Sequence, residues 1–213
     1  GSAANTRTQM KSRLIYTLAL FCFMAGAAIV RPPSASAGPQ FQPPAADQPV
    51  PRTDPNSMKA HEQLLDKARR GGIDIYFAGD SITRRWGATD YPELLANWKR
   101  NFFGWNAANF GWGADGIQNI LWRLHNGELD GVHPKVIVLL AGTNNLGFGA
   151  AADGGGAKVA DVTRGIQAIL QVMQAKAPNA VIVLMGIFPR NDNMSLMPLI
   201  DRINANLSGL ADG

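Results

Sequence analysis

The chain has 213 residues, of which 46% are hydrophobic, and it carries 20 lysines and arginines against 16 aspartates and glutamates. The formal net charge of +4 suggests a basic surface, but the basic excess is confined to the first residues. Four of the 20 basic residues precede Gly38 and no acid precedes Asp47, so 16 basic and 16 acidic residues remain after that point. Composition therefore gives no support for a nucleic-acid-binding surface on the main part of the chain.

The first segment has the pattern of a secretory signal peptide. Lys11 and Arg13 are followed by an apolar run over residues 14–30 and then by Ala35-Ser36-Ala37, which is a positive start, an apolar core and a small-residue cleavage site. We therefore expect residues 1–37 to be a tag remnant plus a signal peptide cleaved after Ala37, and the mature protein to be secreted or periplasmic without stable membrane insertion. A retained membrane anchor is the alternative, because the apolar run is near the minimum length for a membrane-spanning helix.

A proline-rich stretch follows. Eight prolines lie between Arg31 and Pro55, and the apolar residues there show no period. Such a stretch cannot bury enough apolar surface to offset its ordering entropy, so we expect an extended, mobile linker over residues 38–56. The folded domain is then expected over residues 57–213, beginning with a helix that Ser57 caps.

The rest of the chain alternates between apolar strands and amphipathic helices. Strands that are apolar throughout and separated by helices indicate an α/β fold with a parallel sheet between two helical layers. The predicted strands cover residues 73–78, 105–110, 135–141 and 180–185, and the predicted helices cover residues 58–70, 116–125, 159–175 and 199–210.

Unusual residues follow three of these strands. Gly79-Asp80-Ser81, Gly111 to Asp115, and Gly142 to Asn145 each come directly after a strand, and parallel sheets bind ligands beyond the carboxyl ends of their strands. There Ser81 could act as a nucleophile. The amide of Asn144 and the backbone N–H groups around Gly113 and Ala114 could stabilise an oxyanion.

The alternative is that Ser81 only caps a helix and Asn144 only closes a turn, which is common for serine and asparagine. Their joint placement at adjacent strand ends favours a catalytic site. Trp112 lies on the loop beside the presumed oxyanion donors and could contact substrate.

A competing motif occupies the second strand end. Residues 111–116 read G-x-G-x-x-G, which is typical of dinucleotide sites. Such a site also needs an acidic residue at the end of the next strand, and that strand ends at Ala141-Gly142-Thr143. We therefore expect no dinucleotide and no other cofactor. We also expect no metal or thiolate site, because the only cysteine, Cys22, lies in the signal peptide.

The three strand ends, with Asn109 and Phe110 added to the second, resemble the first three conserved blocks of the GDSL or SGNH hydrolases. The stretch from Asn109 to Asn145 is most similar to the catalytic subunits of the intracellular platelet-activating-factor acetylhydrolases. The resemblance implies a flavodoxin-like three-layer sandwich and hydrolysis of short acyl esters, with acetyl esters of a carbohydrate or lipid as expected substrates. It also implies that Ser81 is the nucleophile, that the amides of Ser81 and Ala114 with the side chain of Asn144 form the oxyanion hole, and that Asp80 supports the turn.

The sequence departs from this family in two places. Ala114 stands where the most similar relatives have glycine, which keeps the backbone N–H as long as the site needs no positive φ. The family takes its base from an Asp-x-x-His block after a fifth strand, and the chain reaches Gly213 before such a block. We therefore expect a domain that lacks its C-terminal strand and helix, with an exposed sheet edge that favours a homo-oligomer.

No histidine of the chain is an obvious substitute base. His125 and His133 are predicted near the amino ends of the strands, opposite the strand ends that carry Ser81 and Asn144. A helical His61 is more typical of a surface or hydrogen-bonded residue than of a base. The leading hypothesis is an exported serine esterase, and the alternative is a truncated or non-catalytic module that keeps the pocket without its base.

Overall fold

The computed structural model describes residues 43–147 and 155–210. The predicted signal peptide and the start of the predicted linker lie outside these residues. Four strands and six α-helices alternate along the described part of the chain. They are α1 (Pro55–Arg70), β1 (Ile75–Gly79), α2 (Ser81–Arg85), α3 (Pro92–Phe102), β2 (Ala107–Gly111), α4 (Ile117–Arg123), β3 (Val136–Leu140), α5 (Gly156–Lys176), β4 (Val181–Leu184) and α6 (Met197–Ser208). A wide turn, Leu124–Glu128, continues α4. Within these residues no helix is both long enough and apolar enough to cross a membrane.

The strands form one parallel sheet in the order β2-β1-β3-β4. This is the strand order of flavodoxin-like folds, in which the chain winds outward from β1 in both directions. The pairing aligns Gly79 at the end of β1 with Gly111 on one side and with Leu140 on the other. The α/β fold class predicted from the sequence is confirmed, and the ends of β2, β1 and β3 lie next to one another.

The main core lies on one face of the sheet. Tyr76 and Ile137 alternate with less buried residues along β1 and β3 and are at most 1% exposed. The Tyr76 ring stacks on Phe110 of β2 with 4.1 Å between centroids. Helices α1, α4, α5 and α6 contribute apolar residues to the same cluster, and burial of this surface supplies the main stabilisation of the fold.

The opposite face is covered over β1 by α3, a helix that the sequence analysis did not predict. Phe77 of β1 contacts Trp98 and Phe102 of α3, with ring centroids 5.1 and 5.0 Å apart. Along β4 the same face is open, and Val181 and Val183 are 64% and 41% exposed. Two features of the sequence indicate this helix. Pro92 stands at its first position, and its aromatic residues Trp98 and Phe102 are four positions apart.

Residues 43–54 pack on the domain, which corrects the predicted extended linker over this part. Ala46 is fully buried and its N–H donates to Asp161 of α5 at 3.0 Å. The Val50 N–H donates to the Gln118 carbonyl oxygen at 3.0 Å. A small alanine and paired backbone groups let this proline-rich segment bury part of itself without regular structure.

The first helix begins earlier than predicted. Asp54, not Ser57, caps α1, and its carboxylate accepts the Ser57 N–H at 2.9 Å. Pro55 follows directly at the first helical position, where the missing N–H has no consequence. The serine hydroxyl is therefore available to a tryptophan in the candidate site.

Candidate active site

Hydrogen bonds connect the ends of β2, β1 and β3. The Trp112 N–H donates to the Gly79 carbonyl oxygen at 3.1 Å, which joins the second strand end to the first. The Asn144 side-chain amide donates to the Asp115 carbonyl oxygen at 2.8 Å, which joins the third strand end to the second. The structure therefore brings together the three segments that the sequence analysis selected.

Ser81 is the first residue of α2, and Asp80 is its N-cap. The Asp80 Oδ1 atom accepts the Ile82 N–H at 2.9 Å. The Ser81 side chain is half-buried, and its hydroxyl has no hydrogen-bond partner among the residues that the structure describes. This geometry presents the hydroxyl above the end of β1 and leaves it available to a ligand.

Two glycines allow α2 to sit this close to the sheet. A Cβ atom at Gly79 would lie 2.1 Å from the Thr83 hydroxyl oxygen, and one at Gly111 would lie 2.4 Å from the Arg84 backbone nitrogen. Both distances are too short for any side chain. The close approach of the backbones thus fixes the position of Ser81 relative to the second strand end.

Ala114 adopts a left-handed backbone conformation with φ of 61°. The sequence analysis made the role of its N–H conditional on the absence of a positive φ, and the structure shows a positive φ. Because a Cβ atom is strained in this region, the alanine is held there by its surroundings. The strained turn directs the backbone of residues 113–114 toward the same end of the sheet as Ser81.

Trp112 and Gly113 form the side of this turn. The Trp112 indole N–H donates to the Ser57 hydroxyl at 2.9 Å, and the Arg84 guanidinium lies 5.4 Å from the indole centroid. The Gly113 carbonyl oxygen accepts from Arg52 at 3.2 Å. The turn is therefore anchored to α1 and to the segment that precedes it.

A buried ionic network beneath the turn was missed by the sequence analysis. Arg123 of α4 donates to the Asp115 carboxylate at 2.8 Å and forms a second buried ion pair with Glu128. It also donates to the carbonyl oxygens of Phe110 at 3.1 Å and Gly79 at 3.4 Å. Arg123 thus holds together the ends of β1 and β2 and Asp115, which follows the turn at residues 112–114. We call this turn, which carries the candidate donor Ala114, the oxyanion turn. The sequence contained one indication of this network, because Arg123 and Glu128 each stand next to a leucine of the core.

Burial raises the pKa values of two carboxyl groups at this site, those of Asp115 and Asp80. Burial raises the pKa of Asp115 to about 6, even though Arg123 and Arg52 favour its charged form. Its Oδ1 atom has no hydrogen bond among the described residues, and the Arg52 guanidinium lies 3.6 Å away. Burial also raises the pKa of Asp80, against the Ile82 N–H that stabilises its carboxylate. Desolvation of the charged form is the common cause.

The three histidines do not contact Ser81. His61 is buried, and its Nδ1 atom lies 2.7 Å from Glu128, while its ring packs on Trp122 at 4.9 Å. It is a hydrogen-bonded helical histidine, as the sequence analysis favoured. His125 and His133 are exposed, and His133 precedes β3 at the other end of the sheet. No cluster of three potential metal ligands occurs within the described residues.

Comparison with known proteins identifies relatives of similar sequence. The chain is 34% identical over 136 residues to platelet-activating factor acetylhydrolase IB subunit alpha1 of Homo sapiens, which covers 64% of the chain and 52% of that protein. It is 33% identical over 135 residues to subunit alpha2 of Rattus norvegicus, with 63% and 52% covered. The chain thus spans about half the length of these relatives.

A solved structure agrees on the fold. A member of the lipolytic protein G-D-S-L family from Veillonella parvula matches with a TM-score of 0.51 and 17% identity, covering 65% of this chain and 72% of that one. The model of the GDSL-like lipase/acylhydrolase family matches residues 77–213, which contain Ser81 and all three strand ends. By this match over most of the folded part, the chain belongs to the GDSL-like lipase/acylhydrolase family.

Proposed function

We propose that the site is that of a serine ester hydrolase that removes short acyl groups, acetyl above all, from a carbohydrate or lipid ester. The observation that carries the proposal is the convergence of Ser81, the Ala114 turn and Asn144 at one end of the sheet. Each of the three lies on a different strand end, and hydrogen bonds between the segments hold them together.

The proposed reaction begins with attack of the Ser81 hydroxyl oxygen on the ester carbonyl carbon. The N–H groups of Ser81 and Ala114 and the Asn144 amide would stabilise the oxyanion that forms. The Asn144 NH₂ has two hydrogens, one of which is used by the Asp115 carbonyl oxygen, so the other remains for the oxyanion. The C–O bond to the alcohol then breaks, and the alcohol leaves with the proton that the Ser81 hydroxyl gave up, so that an acyl-serine remains. Water then adds to the acyl carbon, the bond to the Ser81 oxygen breaks, and the carboxylic acid is released as Ser81 regains a proton. Such preorganised donors account for a large part of catalysis in acyl transfer.

An apolar cavity supports a short acyl group. It has a volume of about 130 Å³ and adjoins Ile82, the residue after Ser81. Phe77, Leu140, Met185 and Phe188 contribute to its wall. Several methylene groups fill such a volume, whereas a long acyl chain would extend beyond it.

The test is hydrolysis of p-nitrophenyl acetate by the wild type and the variants Ser81→Ala and Ser208→Ala. Ser208 lies at the end of α6, and its hydroxyl only bonds the Ala205 carbonyl oxygen, so it is the matched control. Ser81→Ala is expected to abolish enzymatic turnover while Ser208→Ala retains it. Turnover that survives Ser81→Ala would refute the assignment.

A second candidate is a non-catalytic module that binds esters in the same pocket. The observation that favours it is that no histidine among the described residues contacts Ser81. A serine without its base retains only about 10³–10⁴-fold catalysis over water in well-studied proteases. Measuring both hydrolysis and equilibrium binding of p-nitrophenyl acetate discriminates the two, since a binding module would hold the ester without Ser81-dependent turnover.

Export remains part of the proposal. Expression in a Gram-negative host followed by N-terminal sequencing tests it, with a mature start at Gly38 expected. A product that keeps residues 14–30 would favour the membrane-anchor alternative.

A further inference from the structure

A cleft lies at the outer edge of β2, beside the candidate active site. It has a volume of about 380 Å³ and is bounded by α1 and by the connection between α2 and α3. Trp112 forms the boundary between the cleft and the oxyanion turn, because it precedes Gly113 and Ala114 directly. Trp112 therefore lies beside both the cleft and the turn that carries Ala114.

The cleft is lined by more basic than acidic groups. Lys67, Arg70 and Arg84 face one carboxylate, Asp90. Only Arg84 is paired with that carboxylate, at 3.3 Å. Lys67 and Arg70 have no acidic side chain within ion-pair distance among the residues that the structure describes. The cleft thus has an excess of positive charge that the protein itself does not neutralise.

Lys67 is held in the cleft by specific contacts. Its Nζ atom donates to the Asn109 carbonyl oxygen at 2.6 Å and lies 5.3 Å from the Phe110 ring centroid. The ammonium group has three hydrogens, so two remain for a ligand. Burial lowers the pKa of Lys67, and the nearby charge of Arg70 lowers it further, while the Glu128 carboxylate offsets only part of this effect. An anion bound beside it would offset the remainder.

Arg84 connects the cleft to the reaction site. It lies one helical turn after Ser81 in α2, and its guanidinium stacks on Trp112. One N–H group of this guanidinium is used by Asp90, and its other N–H groups remain for the oxygens of a phosphate or carboxylate.

We propose that this basic cleft, lined by Lys67, Arg70 and Arg84, binds an oxyanion group on the alcohol part of the ester substrate. A phosphate, a sulfate or a carboxylate has the shared chemistry that these donors recognise. That the bound oxyanion belongs to a substrate rests on the proposed esterase function. The site itself rests only on the geometry of the cleft.

The direct test is binding of inorganic phosphate, measured by isothermal titration calorimetry on the 213-residue chain. Lys67→Met and Arg84→Met are expected to weaken phosphate binding about 10-fold each, as befits the loss of a charge-assisted contact. Lys99→Met is the matched control, because Lys99 is exposed on α3 and does not line the cleft; its affinity should stay within about 2-fold of the wild type. Sulfate and acetate titrations show which oxyanion geometry is preferred.

Folding of the variants is controlled separately. Lys67→Met leaves the Asn109 carbonyl oxygen without its donor, so its circular dichroism and thermal unfolding are compared with those of the wild type. Arg70→Gln changes an exposed side chain that also lines the cleft. Its phosphate affinity is measured in place of that of Lys67→Met if the latter variant does not fold. Phosphate affinity that is unchanged in Arg70→Gln and Arg84→Met, or no saturable binding to the wild type, would overturn the proposal.

A second arm links the cleft to the substrate. Acetylglycerol phosphate and acetylglycerol share the ester and differ in the anionic group. The wild type should hydrolyse the anionic ester with the higher kcat/KM, and Arg84→Met should remove about 10-fold of that preference. Phosphate binding without Ser81-dependent hydrolysis would refute the esterase and keep the anion site. Ser81-dependent hydrolysis without phosphate binding would refute the anion site alone.

Discussion

Arg123→Met tests whether the buried network holds the candidate site together. Arg123 is 6% exposed, and it forms ion pairs with Asp115 and Glu128 that are themselves fully buried. It also donates to the carbonyl oxygens of Phe110 and Gly79. Methionine keeps most of the apolar stem but removes every one of these donors.

The expected loss of unfolding free energy in Arg123→Met comes from the buried carboxylates of Asp115 and Glu128, which would remain without their arginine. Removing one partner of a buried ion pair destabilises a protein by about 3–5 kcal/mol, because the other charge stays buried without compensation. His61 still contacts Glu128 in the variant, so we expect a value at the lower end, about 3 kcal/mol. That is a large fraction of the roughly 5–15 kcal/mol that stabilises a typical domain.

Urea unfolding followed by circular dichroism measures this loss, with Arg69→Met as the matched control. Arg69 pairs with Asp66 at 2.9 Å on the exposed side of α1, where such a pair contributes at most about 0.5 kcal/mol. The combined variant Arg123→Met/Glu128→Gln should recover part of the loss, since it removes one stranded charge. A loss below about 1 kcal/mol in Arg123→Met would refute the assigned role of the network.

Three further changes test separate features of the structure. Ala114→Gly should raise the free energy of unfolding by roughly 0.5–1 kcal/mol, because relief of the strained φ outweighs the added freedom of the unfolded chain; a less stable variant in urea would contradict the left-handed turn. Gly165→Ala should destabilise by about 1–3 kcal/mol despite better helix propensity, since its Cβ would lie 2.7 Å from that of Ala46. Gly156→Ala, with no heavy atom nearer than 3.8 Å, is the control, and equal melting temperatures of the two variants would argue against packing of residues 43–54. Asp115→Asn should reduce the fall in stability that the raised pKa of Asp115 predicts for the wild type between about pH 4 and pH 6, measured by urea unfolding across that range; the raised pKa of Asp80 leaves part of the fall in the variant.

The sign of the Asp115 effect follows from its raised pKa. Between the ordinary pKa of 3.8 and the folded-state pKa of about 6, the folded state binds more protons at this carboxyl than the unfolded state does. The contribution of Asp115 to stability is therefore present below about pH 4 and is lost as the pH rises through 6. The exposed carboxyls of Asp47 and Asp74 have lowered pKa values, so their effects appear below about pH 4 and do not overlap. A wild-type profile without the fall would contradict the raised pKa.

The sheet and its three functional ends were predictable because their signals are local. The core strands β1 and β3 are short apolar runs, and glycine with Ser81 or Asn144 follows each of them directly. Parallel pairing then places these ends side by side without further information. The sequence also showed that an alanine stands at position 114, where relatives have glycine. Only the φ angle of Ala114 had to come from the structure.

The remaining features depend on contacts between distant residues. His61 and Glu128 are 67 positions apart, and nothing local indicates that they share a buried hydrogen bond. The packing of Ala46 against α5 joins residues 115 positions apart in the same way. Composition suggested a mobile linker there, and a few buried contacts outweighed that tendency. Helix α3 was missed although Trp98 and Phe102 lie four positions apart, a spacing that places both on one face of a helix.

The central claim is that Ser81 is the nucleophile of this strand-end site. Reaction with a fluorophosphonate ester, followed by proteolysis and tandem mass spectrometry, measures it directly, because the reagent phosphonylates an activated serine and remains attached. The account predicts a single modified peptide with the adduct on Ser81, and no adduct on that peptide in Ser81→Ala. An adduct on another serine, with Ser81 unmodified in a protein that hydrolyses acetyl esters, would contradict it.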